Sequence, residues 1–258
     1  MKKLILFLGV IGVVTLMTSC INGDNSYTDQ AFAYIDFSEN HTIHGRTSSF
    51  RAPLITSNGM RGGMIGQTSI NWGEFYFFAF SWEEANGTTE LGENRRADNV
   101  NVSSVIEIPR TSLRMSHPAP EIPEGTTPPL FRAIGTPQFA GDSFYWNDHW
   151  MFEFGYTGGE IPPTVVFYKR EISEGNNANS NSTNIDIDIR IESPASSGTQ
   201  PRGHAVAVNM SQLRTEFQQP NSDHTLNIRF HFYREGQTAI HTSEPVRWVL
   251  TRTSTSGQ

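Results

Sequence analysis

Cysteine is almost absent: Cys20 is the only one in 258 residues. A disulfide, a thiol nucleophile or a cysteine-based metal centre in the folded body is excluded, so stability has to come from a hydrophobic core. Basic residues are scarce too, 19 Lys and Arg against 26 Asp and Glu. Without Lys2 and Lys3 at the start the balance is 17 against 26, a net charge of −9. Phosphate binding rests on a basic patch, and its lack excludes nucleic acid as a partner. Long apolar runs are missing after residue 14, and the sequence has no Gly-x-Ser-x-Gly turn to expose a nucleophile. Helical periodicity is nearly absent as well. Ser211 to Phe217 is the one stretch that reads as a helix, with Ser211 placed to cap it and Leu213 and Phe217 on one face.

What the sequence does have begins with its leader. Lys2 and Lys3 precede an apolar run from Leu4 to Val14, which closes on Leu16-Met17-Thr18-Ser19-Cys20. That is a secretory signal with a lipobox, too short to stay as a membrane span, and it predicts cleavage before Cys20 and lipid on that residue. The alternative is an ordinary secretory signal with a chance cysteine. Acyl chains contribute about 0.8 kcal/mol per buried methylene, so two or three of them anchor a protein stably. The expected location is the outer membrane, on its periplasmic side or at the cell surface, with the lipid on Cys20 as the membrane contact.

The body reads as all-β, because short apolar runs alternate with turn residues. Strands are predicted at Ala31–Phe37, Ser69–Trp72, Phe75–Trp82, Val100–Glu107, His149–Tyr156, Thr164–Arg170, Ile185–Glu192, His204–Asn209, Leu226–Tyr233 and Val246–Thr251. Two alternate almost without fault. Ile185, Ile187, Ile189 and Ile191 oppose Asp186, Asp188, Arg190 and Glu192, while Leu226, Ile228, Phe230 and Phe232 oppose Asn227, Arg229 and His231. Each such face of four side chains offers about 1.5–3 kcal/mol per residue on burial. Residues 1–20 are then the signal, 21–30 a flexible tether and 31–117 a first β domain. Residues 118–137, with Pro118, Pro120, Pro123, Pro128, Pro129 and Pro137, read as a connector, since proline denies a donor to any sheet. Residues 138–252 form a second β domain with a polar hairpin loop at Ser173–Thr183, and 253–258 a tail.

Several groups could carry chemistry, and each has a plainer reading. His41 and His44 stand three apart, which separates them on a strand, so no metal site is expected. No cofactor is expected either. The run Gly59-Met60-Arg61-Gly62-Gly63-Met64-Ile65-Gly66 lacks the Lys-Ser/Thr of a phosphate loop and reads as a mobile loop. Glu83-Glu84, Asp186 and Asp188 read as solvated edge and outer face. Aromatic residues are the notable excess: Trp72, Tyr76, Trp82, Tyr145, Trp146, Trp150, Tyr156 and Trp248. Tyr145, Trp146, Asp148 and Trp150 form the densest mixture of rings with a carboxylate. They read either as a ligand face able to stack on sugar rings or as core plugs.

The order of these features resembles the NigD-like lipoproteins of Bacteroidetes. The first half is similar to their OB-type barrel, with Gly66 leading into Ser69–Trp82 and Val100–Pro109 closing on Ile106-Glu107-Ile108-Pro109. The second is similar to their β-sandwich, with Asp142-Ser143-Phe144, His149–Tyr156, Thr164–Tyr168, Ile185–Ile191 and His204–Met210 followed by Ser211-Gln212-Leu213. The resemblance implies an OB-like barrel followed by an antiparallel β-sandwich. It implies a place and a fold but no activity. The expectation is therefore a non-catalytic envelope protein binding a glycan or a protein partner, the alternative being a structural subunit of a fimbria-like surface assembly.

Overall fold

The computed structural model describes residues 26–37, 43–49, 52–61, 63–83, 88–91, 94–139, 146, 148–170 and 181–252. Cys20, Tyr145, His41 and most of the polar loop after Arg170 lie outside these residues. The chain is all-β and divides into two compact units, one of residues 1–110 with 144–146, the other of residues 111–143 with 147–258.

The first unit is built from β1 (Ser26–Phe37), β2 (Ile43–Thr47), β3 (Leu54–Ile55), β4 (Met64–Ile65), β5 (Thr68–Ser69), β6 (Phe75–Glu83), β7 (Thr88–Leu91), β8 (Asn94–Ala97) and β9 (Asn101–Ile108). Among the described residues seven of them form one half-barrel sheet in the order β7-β8-β3-β2-β1-β6-β9. Period-2 alternation turns Ala31, Ala33 and Ile35 of β1, with Tyr76, Phe78, Phe80 and Trp82 of β6, onto a single core. The expected tether is shorter than the sequence suggested. Ser26–Gln30 is already strand, in register with Ala79–Glu83, and Tyr27 stacks on Trp82 at 5.1 Å. Polar composition misled there because those residues pair with a central strand. The glycine run is a helical turn, α1 (Asn58–Arg61), leading into the β4–β5 hairpin, with Met60 fully buried. Gly63 and Gly66 take positive φ, where a Cβ would be strained.

The second unit holds β10 (Arg110–Arg114), β11 (Ala133–Ile134), β12 (His149–Gly158), β13 (Thr164–Lys169), β14 (Ser182–Ser193), β15 (Gln200–Asn209), α2 (Ser211–Phe217), β16 (His224–Phe232), β17 (His241–Thr242) and β18 (Val246–Leu250). Its sheet runs β11-β12-β15-β10-β13-β14-β16-β17, with β18 also on β16. This sheet folds back on itself: Phe152 of β12 lies 4.8 Å from Phe167 of β13 and 5.0 Å from Phe230 of β16, strands far apart in the order. The two halves thus make a sandwich around Trp150, Phe152, Phe167, Ile187, Phe230 and Trp248. Pairing is mixed rather than purely antiparallel. β14 and β16 run parallel, as do β10 and β13, because the chain leaves β14 for β15 in the facing half before α2 returns it to β16. The predicted helix is found at the predicted residues, but its N-cap is Met210, and the Asn209 side chain accepts the Ser211 N–H at 2.9 Å.

The proline-rich segment is not a connector between units. It lies within the second, whose boundary falls between Arg110 and Thr111. Its non-proline residues supply the ladder donors: the N–H groups of Phe131, Arg132, Gly135 and Gln138 donate to carbonyls of Tyr233, Gly155, Glu153 and Met151 at 2.8–2.9 Å. Phe131 is in the core.

Phe152 touches both facing strands, so Phe152→Ala should cost about 3–5 kcal/mol. Urea unfolding followed by tryptophan fluorescence checks this. An unchanged midpoint would mean that the two halves are not held together through this ring.

Candidate functional site

Of the residues nominated from sequence, Trp146, Asp148 and Trp150 are described, and they do not form a ligand face. Trp150 is 1% exposed, stacked on Phe139 at 4.1 Å and edge-on to Trp248 at 5.3 Å. Trp146 is buried in the first unit, with its ring edge to Phe75 and its indole N–H donating to the Arg46 carbonyl at 3.3 Å. Asp148 takes a positive φ of 61°, and both its oxygens accept from Arg214 Nε at 2.8 Å. These side chains are spent on packing and pairing, so they offer no flat surface to a sugar. Of the other aromatics, Tyr76, Trp82, Tyr156 and Trp248 are buried, whereas Trp72 is 67% exposed in the turn before β6. The neighbouring Asp223 and His224 have separate partners: Asp223 accepts the Arg252 N–H, and His224 stacks on Phe217 while its Nε2 lies 2.9 Å from Thr183 Oγ1. Among the described residues no three His, Cys, Asp or Glu side chains converge on one point.

A different surface carries concentrated chemistry, the outer face of β13, β14 and β16. Strand register dictates it. With Ile185, Ile187 and Ile189 turned into the core, Asp186, Asp188 and Arg190 must face outward, opposite Arg229 and His231 of the parallel neighbour. Sequence suggested solvated acids, but Asp188 is only 6% exposed and Asp186 is half-buried. Arg170 grips it through two bonds of 2.7 and 2.9 Å, and Arg190 adds a third of 2.8 Å. A buried carboxylate persists only with such partners. Asp186 accepts two 2.9 Å bonds from Arg229, and His231 Nε2 lies 2.8 Å from its Oδ1. Burial pushes the Asp186 carboxyl up, but the bonds from His231 and Arg229 outweigh this and hold it below the ordinary carboxylate value.

His231 Nδ1 lies 3.0 Å from Thr242 Oγ1, so hydroxyl, imidazole and carboxylate stand in a row. That row is the arrangement of nucleophilic catalysis. Here, however, Arg229 already saturates the carboxylate, and none of the three lines the neighbouring groove. Its chemistry is that of a surface brace.

A groove opens on this face. It has a volume of about 220 Å³ between the proline-rich segment and the sheet, lined by Pro120, Ile122, Pro129, Tyr168, Arg190 and Tyr233. The Arg190 guanidinium lies 4.8 Å over the Tyr233 ring. Arg114 sits 5.1 Å over Tyr168, donates to its hydroxyl at 2.9 Å and pairs with Glu192 at 3.1 Å. These stacked pairs are fixed before any ligand arrives. Sequence reasoning missed them because Tyr168 and Tyr233 each end a strand on its outward face; the legible signal was opposite charges in matching rows on Ile185–Glu192 and Leu226–Tyr233.

Two solved structures share this architecture. A candidate lipoprotein of Bacteroides fragilis superposes with a TM-score of 0.52 at 8% identity, covering 88% of this chain and 99% of that one. A NigD-like immunity protein of Bacteroides caccae does so with a TM-score of 0.50 at 9% identity, over 86% and 97%. The chain has the fold of a NigD-like protein. No family model matches the chain, and no curated protein matches it. An all-β fold is what the sequence resemblance implied.

Because the folded Asp186 value is lowered, its stabilisation is fully present above the unfolded carboxyl value near ~3.9 and is lost as pH falls through the folded one. Asp186→Asn should flatten that loss. Urea midpoints from pH 6 down to pH 2 read it; an equally steep acid loss in the variant would remove Asp186 as the source.

Proposed function

We propose that this chain is a lipid-anchored envelope protein of non-catalytic type that binds a protein partner, with the groove beneath the proline-rich segment as the contact. The observation that carries this reading is the preorganised Tyr168–Arg190–Tyr233 lining. Tyr and Arg dominate the energetically important centres of protein interfaces. A volume of about 220 Å³ suits one or two inserted side chains and falls below the ~300 Å³ where small-molecule pockets begin. The glycan alternative loses its support with the burial of Trp146 and Trp150. The fimbria-like subunit would need a strand able to leave, and the terminal candidate β18 places Trp248 and Leu250 in the core. The Thr242–His231–Asp186 row is braced by Arg229, which fits a structural part for it. The lipid anchor rests on the lipobox before Cys20, and the fold shared with a candidate lipoprotein is in keeping with it. The outer membrane is the expected site.

Two experiments check this. Cys20→Ser should move the chain from the membrane pellet into the soluble fraction; a variant that stays in the pellet would end the lipid-anchor reading. A photo-crosslinking residue at Ile122 of the full chain, in cells, should give an adduct of discrete mass that a probe at Ile161, 70% exposed on the same unit, does not. Tyr233→Ala should weaken that adduct roughly 30-fold, as loss of a central interface residue does. Identical labelling at the two sites, or none, would refute the groove as the contact.

A further inference from the structure

The first unit leaves one long sheet edge open. Among the described residues β9 has β6 as its only neighbour, and Asn101, Ser103, Ser104, Ile106 and Glu107 are exposed. Open edges are normally blunted by Lys, by Pro or by shortness. β9 has eight residues and neither Lys nor Pro, while the opposite edge, β7, has only four. Its single charge is Glu107. The edge does carry a bulge, at the register shift between Ala79 and Phe80, where the Ser103 hydroxyl donates to the Ala79 carbonyl at 3.1 Å. Ser104–Ile108 beyond it is regular.

An apolar row leads to this edge across the second face of the sheet, from buried Phe32 outward. Phe32 of β1 stands opposite Phe77 of β6 with rings 5.2 Å apart, and Phe77 stands opposite Ile106. There the row stops, with Ile106 at 53% exposure.

We propose that β9 pairs antiparallel with β9 of a second copy of this chain about a twofold axis at Ile106, joining two sheets into one. A strand edge that meets its own twin makes an isologous, closed contact and leaves no unsatisfied edge to propagate. The regular stretch Ser104–Ile108 sets the register. Centred on Ile106, the two isoleucines face each other and the row runs from Phe32 through both copies without a break. Glu107 then faces Val105 of the partner copy, which keeps the two carboxylates apart; centring on Glu107 would set them directly opposite, a destabilising pair. An edge with one acid and no base needs no partner of opposite charge, and lipid anchoring would hold copies at high density in one plane. This pairing uses the first unit only and stands independently of the groove in the second.

The test uses the full chain, Cys20 included, purified in detergent. Light scattering should show a concentration-dependent dimer, and Ile106→Lys, which sets like charges opposite each other, should weaken it roughly tenfold in dissociation constant. Under mild oxidant Ile106→Cys should give a disulfide dimer on a non-reducing gel, where the wild type and Ile161→Cys do not. A monomer at every concentration overturns the proposal, as does a dimer unaffected by Ile106→Lys. Neither result bears on crosslinking at Ile122, so the two readings fail separately.

Discussion

The contact of Phe152 with Phe167 and Phe230 is the constraint from which the second unit follows. It joins strands that the hydrogen-bonded order keeps well apart, and only a sheet bent back at β10 brings them within 5.0 Å. Aromatic pairs contribute about 0.5–1.5 kcal/mol beyond their buried area. Once the halves face each other, the inward row of each strand is fixed, and the outward row is fixed with it. Asp186, Asp188 and Arg190 are outside because Ile185, Ile187 and Ile189 are inside. The polar face is a consequence of the core.

That face would be unstable as a set of buried single charges. Removing one partner from a buried pair costs about 3–5 kcal/mol, whereas a complete set roughly balances its own desolvation. Asp188 between Arg170 and Arg190, and Asp186 between Arg229 and His231, are complete sets. They are better seen as specifying register than as adding stability. Parallel pairing of β14 with β16 sets Asp186 against Arg229, and a slip of one residue would break the bonds of Asp186 to Arg229 and His231.

Sequence made the long strands legible because period-2 alternation survives in them; Ile185–Glu192 lies within β14 and Leu226–Phe232 within β16, with Tyr233 just past its end. Two-residue strands such as β3, β4 and β11 leave no periodicity to read. Proline content misplaced residues 118–137, since it counts the donors that are missing and not those of Phe131, Arg132 and Gly135, which the ladder uses. The nominated site failed for a related reason. A ring beside a carboxylate looks the same in sequence whether the ring is outside or, like Trp150, stacked on Phe139 and edge-on to Trp248. Strand ends hide their outward residues equally well, so Tyr168 and Tyr233 carried no signal.

The two units treat their second faces in opposite ways, and this asymmetry says where association is to be sought. In the sandwich the outward rows are charged and closed by their own pairs, so the groove offers a partner preset shape and aromatic surface. In the half-barrel the row Phe32–Phe77–Ile106 is apolar, as is Phe75 with Trp146 against it. Apolar side chains on the outer face of a sheet gain nothing from water, and Ile106 contributes its burial energy only if another surface covers it. Strand pairing does this at low cost, because the same step satisfies the edge backbone of β9 and continues the row. A charged residue at position 106 would have protected the edge; that an isoleucine stands there is a physical argument for an edge that is used.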